Sequence, residues 1–118
     1  MVGARLLAVL QAGAFAGDCV GNHVVVGRAE HPVCGDEVQM GLRVVDGCVL
    51  EAAWRAQGCP ATLAVAALAA QVLRSVPVGA VPHTLTQAVA AHGGLAAAER
   101  HAEAMVQRAL AAALAGVR

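Results

Sequence analysis

Two runs of alternating apolar and polar residues, joined by Asp46-Gly47, restrict what this chain can fold into more than any other feature. In residues 37–45, Val38, Met40, Leu42 and Val44 alternate with Gln39, Gly41 and Arg43. In residues 48–57, Cys48, Leu50, Ala52, Trp54 and Ala56 alternate with Val49, Glu51, Ala53, Arg55 and Gln57. A period of two belongs to a half-buried strand, and Asp-Gly between two such runs signals a hairpin. The loop length decides which side chains face each other, because a one-residue slip sends a whole strand's apolar set to the other face. A two-residue loop sets Leu42 against Glu51. A three-residue loop, Val45-Asp46-Gly47, sets Val44 against Cys48, Leu42 against Leu50 and Met40 against Ala52. The longer loop is therefore the expected one, with Gly47 left-handed in a bulge. Cys48 then falls on the core face as a small hydrophobe.

At Pro60 the period changes. "PATLAVAALAAQVLRS" is helical, with proline at the first helical position, and Pro77 and Gly79 end it. "HTLTQAVAAH" is a shorter helix, broken at Gly93-Gly94. The last runs from about residue 96 to 115 with Val106, Leu110, Leu114 and Val117 as its apolar stripe. Ahead of the hairpin, residues 3–11 form an amphipathic helix, "NHVVVGR" reads as a β-branched strand, and "HPVCGD" is a loop. Strands first and helices later give an α+β fold with an antiparallel sheet, expected as one domain over residues 1–118.

Charge narrows the function. Eight Arg balance eight acidic residues and there is no Lys, so the basic footprint of a nucleic-acid binder is missing. No stretch reaches the roughly 18–20 apolar residues that span a bilayer. The longest, residues 61–73, is followed by Arg74. Arg5, "LLAVL" and Ala14-Phe15-Ala16 imitate a signal peptide, but Gln11 interrupts the run and one positive side chain precedes it. Cys19, Cys34, Cys48 and Cys59 could form two disulfides in a secreted chain. In a chain read as cytoplasmic they are thiols, used more often for metal binding or reactivity.

Four residues stand at element boundaries. Cys59, in "QGCPAT", sits at a helix start, where unpaired N–H groups favour a thiolate; the plain alternative is a small buried residue at a tight turn. Cys34 and Asp36 project to one side of an extended chain and can share a metal, or Gly35 and Asp36 simply make a turn with Cys34 buried beside it. His101, in "ERHAEA", lies off the apolar stripe of the last helix, as an exposed histidine also would. Together Cys34, Asp36, Cys59 and His101 supply the four ligands of a tetrahedral site. His31, near Cys34, could substitute as a ligand. His23, His83 and His92 carry no pattern, and Cys19 has no partner.

With these residues in place, "VCGDEVQMGLRVVDGCVLEAAWRAQGCPAT" resembles the core of the IscU/NifU-type iron–sulfur cluster scaffolds: C-G-D ahead of an amphipathic strand, a hairpin, an aromatic (Trp54), then G-C before a long helix. "AGAF" is similar to the family's V-G-S-F-type segment after the first helix, and "ERHAEAMVQRAL" to its H-C-led last helix. The resemblance implies a small three-stranded antiparallel sheet packed by helices, and makes Cys34, Asp36, Cys59 and His101 the cluster site. It departs at Ala102, where the family has a third cysteine implicated in accepting sulfur, and at "LAAAE", residues 95–99, where the family has its L-P-P-V-K chaperone-recognition segment. Docking to the dedicated DnaK-type chaperone is therefore not expected.

What the resemblance implies is a non-enzymatic scaffold. It would take sulfur from a cysteine desulfurase, hold iron or a [2Fe–2S] cluster, and pass it to apo-proteins, with Cys59 as sulfur acceptor. Histidine can replace cysteine on such a cluster. Two alternatives stay open: a zinc-bound sulfur-transfer partner of a desulfurase, and a non-catalytic remnant kept as an interaction module.

Overall fold

The computed structural model describes residues 3–12, 16–19, 21–31 and 35–117. Helix α1 (Ala4–Ala12) precedes strands β1 (Val24–Glu30), β2 (Glu37–Val45) and β3 (Cys48–Gln57), and helices α2 (Pro60–Val72), α3 (Val81–Ala91) and α4 (Arg100–Leu114) follow. The strands form one antiparallel sheet in the order β1-β2-β3. Helix α4 lies on β1 and β2, α2 on β3, and α1 and α3 close over α2. This is the expected α+β architecture with a three-stranded sheet and a long C-terminal helix.

The hairpin differs from expectation. Its loop has two residues: Val45 pairs with Cys48 and Val44 with Val49. Asp46 and Gly47 both have positive φ, 52° and 78°, as the twist-matched turn for a two-residue loop requires. Leu50 is then the extra residue of a bulge. Beyond it the register moves by one, so Arg43 faces Glu51, Leu42 faces Ala52 and Met40 faces Trp54. The bulge resolves the conflict that favoured a longer loop, since Glu51 now meets Arg43 at 2.9 Å and Leu42 keeps an apolar partner. It also reverses the faces at the strand's start. Val49 is buried, whereas Leu50 is 47% exposed and Cys48 is exposed, not packed in the core.

Helix α2 has no polar face to show. Ala61, Thr62 and every residue from Ala64 to Ala70 are buried, as befits a helix surrounded by other elements. Alanine is the residue that lets neighbours approach on all sides. The helix ends at Val72, three residues short of the expected limit, because Ser75 takes a left-handed conformation (φ 69°). On α4 the buried residues include Val106 and Leu110 of the expected stripe, with Ala102, Met105, Ala109 and Ala113 beside them.

Where β1 crosses α4 the two backbones nearly touch. A methyl group on Gly27 would overlap the Ala109 carbonyl oxygen and the Ala113 amide nitrogen. Gly27→Ala is expected to destabilise the fold by about 1–3 kcal/mol, the usual cost of overpacking. Gly79→Ala, where an added methyl meets nothing, should be near neutral. Urea unfolding of the two variants measures the difference.

Candidate metal centre

Asp36, just before β2, is 3% exposed and carries a carboxylate into the protein. The backbone makes room for it. Gly58, at the end of β3, has φ +131°, and a Cβ there would overlap the Asp36 carboxyl group. The next residue, Cys59, is the N-cap of α2, with Pro60 opening the helix. Its N–H donates to Asp36 Oδ1 at 3.3 Å. The Thr62 hydroxyl, one turn into α2, donates to Asp36 Oδ2 at 2.9 Å. With its proton so used, the Thr62 oxygen is free to accept from the Cys59 thiol, whose Sγ is 3.3 Å away.

His101 enters from the first turn of α4. Its Nδ1 lies 3.2 Å from the Ala98 carbonyl oxygen. A carbonyl only accepts, so that nitrogen carries the hydrogen and the Nε2 lone pair is left facing inward. Nε2 is 3.6 Å from Cys59 Sγ and 3.5 Å from Asp36 Oδ2. One donor atom each from Asp36, Cys59 and His101 thus lie within 4.8 Å of one another. Bonds of about 2.0–2.3 Å at tetrahedral angles set neighbouring donors about 3.5 Å apart. The two spacings from His101, 3.6 Å to Cys59 and 3.5 Å to Asp36, match that value, so the three residues could hold a zinc or iron ion.

The carboxylate is held ionised. Burial raises the Asp36 pKa, but the polar groups around it, the Cys59 thiol and amide, the Thr62 hydroxyl and the His101 ring, together outweigh burial and leave the value below the ordinary one. An open groove beside the thiol is lined by Leu7, Pro60, Ala61, Ala98 and Glu99, with Cys59 and His101 at its wall.

The family described as the NifU-like N terminal domain matches residues 11–117. The chain belongs to it. The NifU-like fold is found again in the N-terminal NifU-like protein of Brucella abortus, with TM-score 0.66 and 16% identity over 93% of this chain and 87% of that one. It recurs in a protein from Fervidobacterium islandicum AW-1 described as an iron–sulfur cluster assembly scaffold for the SUF system, with TM-score 0.68 and 11% identity over 92% and 96% of the two chains. No curated protein matches the chain.

Of the four residues expected at the NifU-like site, the structure brings Asp36, Cys59 and His101 together. Cys34 lies outside the described residues, as does most of "AGAF". Ala102 is fully buried in the apolar core. Cys19 is on the other face of the sheet, its thiol donating to the Gly41 carbonyl at 3.3 Å; burial pushes its pKa up and the Glu51 charge adds to the shift. No helix among the described residues is long and apolar enough to cross a membrane. Sequence reasoning missed Thr62 and Gly58. The signal for Thr62 was a hydroxyl at the third helical position, three residues after the cap.

Thr62→Val should strip one donor from a buried carboxylate, costing about 1–3 kcal/mol at neutral pH and raising the Asp36 pKa. Because the folded-state value is depressed, ionised Asp36 stabilises the fold above the unfolded value of about 3.9, and that stability is lost as pH falls through the folded-state value. The gap between wild type and Thr62→Val should therefore shrink in acid. Urea unfolding across pH 3–7 with carboxyl NMR titration checks both.

Proposed function

We propose that this chain is an iron–sulfur cluster assembly scaffold, which binds iron or a [2Fe–2S] cluster transiently at Cys34, Asp36, Cys59 and His101 and passes it to apo-proteins. The observation that carries the reading is the spacing of three chemically different donors from three elements, at the separation a bound metal needs. Family membership supports it. Cys34 joins on the sequence argument, two residues from Asp36. It is not an enzyme in its own right, and it works in the cytoplasm, where its thiols stay reduced.

Sulfur arrives from a cysteine desulfurase. The Cys59 thiolate attacks the outer sulfur of the desulfurase's cysteine persulfide. A new S–S bond forms on Cys59, the old one breaks, and the desulfurase cysteine leaves as a thiolate. Release of that sulfur as sulfide takes two electrons from an external reductant such as a small thiol. Cys59 suits this role because it caps α2, borders the open groove and has an imidazole at 3.6 Å. The hard carboxylate of Asp36 is a weak ligand for iron beside sulfur and imidazole, as a cargo that must leave requires. With "LAAAE" at residues 95–99, release does not depend on the dedicated DnaK-type chaperone.

The donor set suits zinc as well as iron, which keeps a second reading, a zinc-bound sulfur-transfer partner of the desulfurase. Anaerobic reconstitution with iron, sulfide and a thiol, followed by absorption spectra and elemental analysis, separates the two. A scaffold turns red-brown and bleaches with chelator. The zinc protein stays colourless with one zinc per chain, and a remnant kept as an interaction module holds no stoichiometric metal. Cys59→Ser and His101→Ala should each abolish stable loading. Ala102→Cys, returning the family thiol, should lengthen the cluster's lifetime against chelator. An unchanged lifetime would place residue 102 away from the cargo.

A further inference from the structure

Among the described residues the buried polar side chains are Asp36 and Thr62, and they bond to each other. Thr62 is fully buried at the third position of α2, whose other buried residues are all apolar. A threonine hydroxyl inside a helix commonly bonds a carbonyl one turn back. This one leaves its own helix. It reaches Asp36 Oδ2, ahead of β2, at 2.9 Å and lies 3.3 Å from Cys59 Sγ. The Thr62 N–H meanwhile donates to the Cys59 carbonyl at 3.1 Å. One hydroxyl therefore touches two of the three gathered ligands, from a residue whose backbone is tied to one of them.

We infer that Thr62 is a positioning residue of the metal centre, whose hydroxyl aims Asp36 Oδ2 at the metal and confines the carboxylate to binding through that one oxygen. The inference rests on the proposed metal site at Asp36, Cys59 and His101. The two carboxylate oxygens have different duties. Oδ1 accepts the Cys59 N–H at 3.3 Å and so faces the start of α2. Oδ2 lies 3.5 Å from His101 Nε2, the spacing of two donors on one metal. An ionised carboxylate has about four lone-pair sites, so Oδ2 keeps one for a metal while it accepts from Thr62.

The bond to Asp36 does not depend on the state of the sulfur, because the hydroxyl proton is directed at Oδ2 and the sulfur meets only the hydroxyl oxygen. It therefore persists when Cys59 binds metal. Without the hydroxyl, Asp36 is held at Oδ1 alone. Its carboxyl plane then turns about the last side-chain bond and carries Oδ2 away from ligand spacing. Ligating carboxylates are in general fixed by such outer hydrogen bonds, and their loss typically costs about 10–100-fold in metal affinity. The chemistry of the hydroxyl separates this role from packing. Valine keeps the shape of threonine and removes the donor, whereas serine keeps the donor and removes the methyl group.

The test loads the full chain with zinc or cobalt(II) alone and compares wild type, Thr62→Val and Thr62→Ser. By chelator competition Thr62→Val should bind both ions at least about 10-fold more weakly. Its cobalt spectrum should keep the sulfur-to-cobalt charge-transfer band, since Cys59 still binds, and lose the intensity that four-coordinate geometry gives the ligand-field bands. Thr62→Ser should keep wild-type affinity and spectrum even though its midpoint in urea falls. The wild type itself, which needs no variant to fold, should show the widely split carboxylate stretches of one-oxygen binding in a zinc-minus-apo infrared difference spectrum. Wild-type affinity in Thr62→Val overturns the inference, as does an unchanged cobalt spectrum. Equal weakening in Thr62→Ser assigns the effect to packing and also overturns it, and so does the narrow splitting of a two-oxygen carboxylate. Any of these results with a wild type that binds metal leaves the proposed site standing. A wild-type chain that takes neither ion removes both readings.

Discussion

A buried carboxylate at the start of a helix holds this structure's working end together. Taking Asp36 out of water is costly unless donors replace the lost solvation. They come from the Cys59 amide and the Thr62 hydroxyl of α2, and His101 of α4 lies alongside. The positive end of α2 adds to them. The β1–β2 loop, the end of β3 and two helices therefore meet at one anion. Gly58 permits this by leaving its own side-chain volume to the carboxyl group. The same contacts that stabilise the charge set the Cys59 sulfur and the His101 nitrogen at ligand spacing, so fold and site share one set of interactions.

Small residues elsewhere do the complementary work of bringing elements close. The alanines of α2 let it be enclosed by β3, α1, α3 and α4, and Gly27 lets β1 lie against the backbone of α4. A chain with one Trp and one Phe builds its core by short distances between backbones and many modest contacts, not by large aromatic side chains. The consequence for the site is rigidity: α2 and α4, which present Cys59 and His101, are seated on the sheet with little space in which to shift.

Much of this was legible in the sequence, for reasons particular to each element. Strand β2 alternates because Val38, Met40, Leu42 and Val44 face the core while Gln39 and Arg43 on the other face are only half-buried, and its limits were read correctly. The period change at Pro60 was likewise visible, and the stripe on α4 in part: Val106 and Leu110 are buried, whereas Leu114 is half-buried and Val117 lies past the end of the helix. The hairpin register was not, because periodicity over residues 48–57 counts every residue and cannot reveal that Leu50 is extra. Only the match of Arg43 to Glu51 and Leu42 to Ala52, together with a turn of two positive-φ residues, selects the bulge. At the site, residue type and spacing picked out Asp36, Cys59 and His101, whose convergence from distant positions the family resemblance also implied. Thr62 and Gly58 escaped notice because their roles are relational: a threonine matters only where a carboxylate lies opposite, and a glycine only where another side chain needs its space.

Three thiols and a histidine would make a soft, tight site for a cluster. Replacing one thiol by the Ala102 methyl leaves sulfur, imidazole and carboxylate in competition, with the carboxylate already engaged at the end of α2. Hard and soft donors that exchange on one cargo give weaker retention than a uniform thiolate cage. On the proposed scaffold function, with "LAAAE" standing where the resemblance places the chaperone-recognition segment, such weakness lets release come from the site itself. On that same proposal the two departures from the family pattern, at Ala102 and at residues 95–99, point to one chemistry: a cargo held loosely enough to leave unaided.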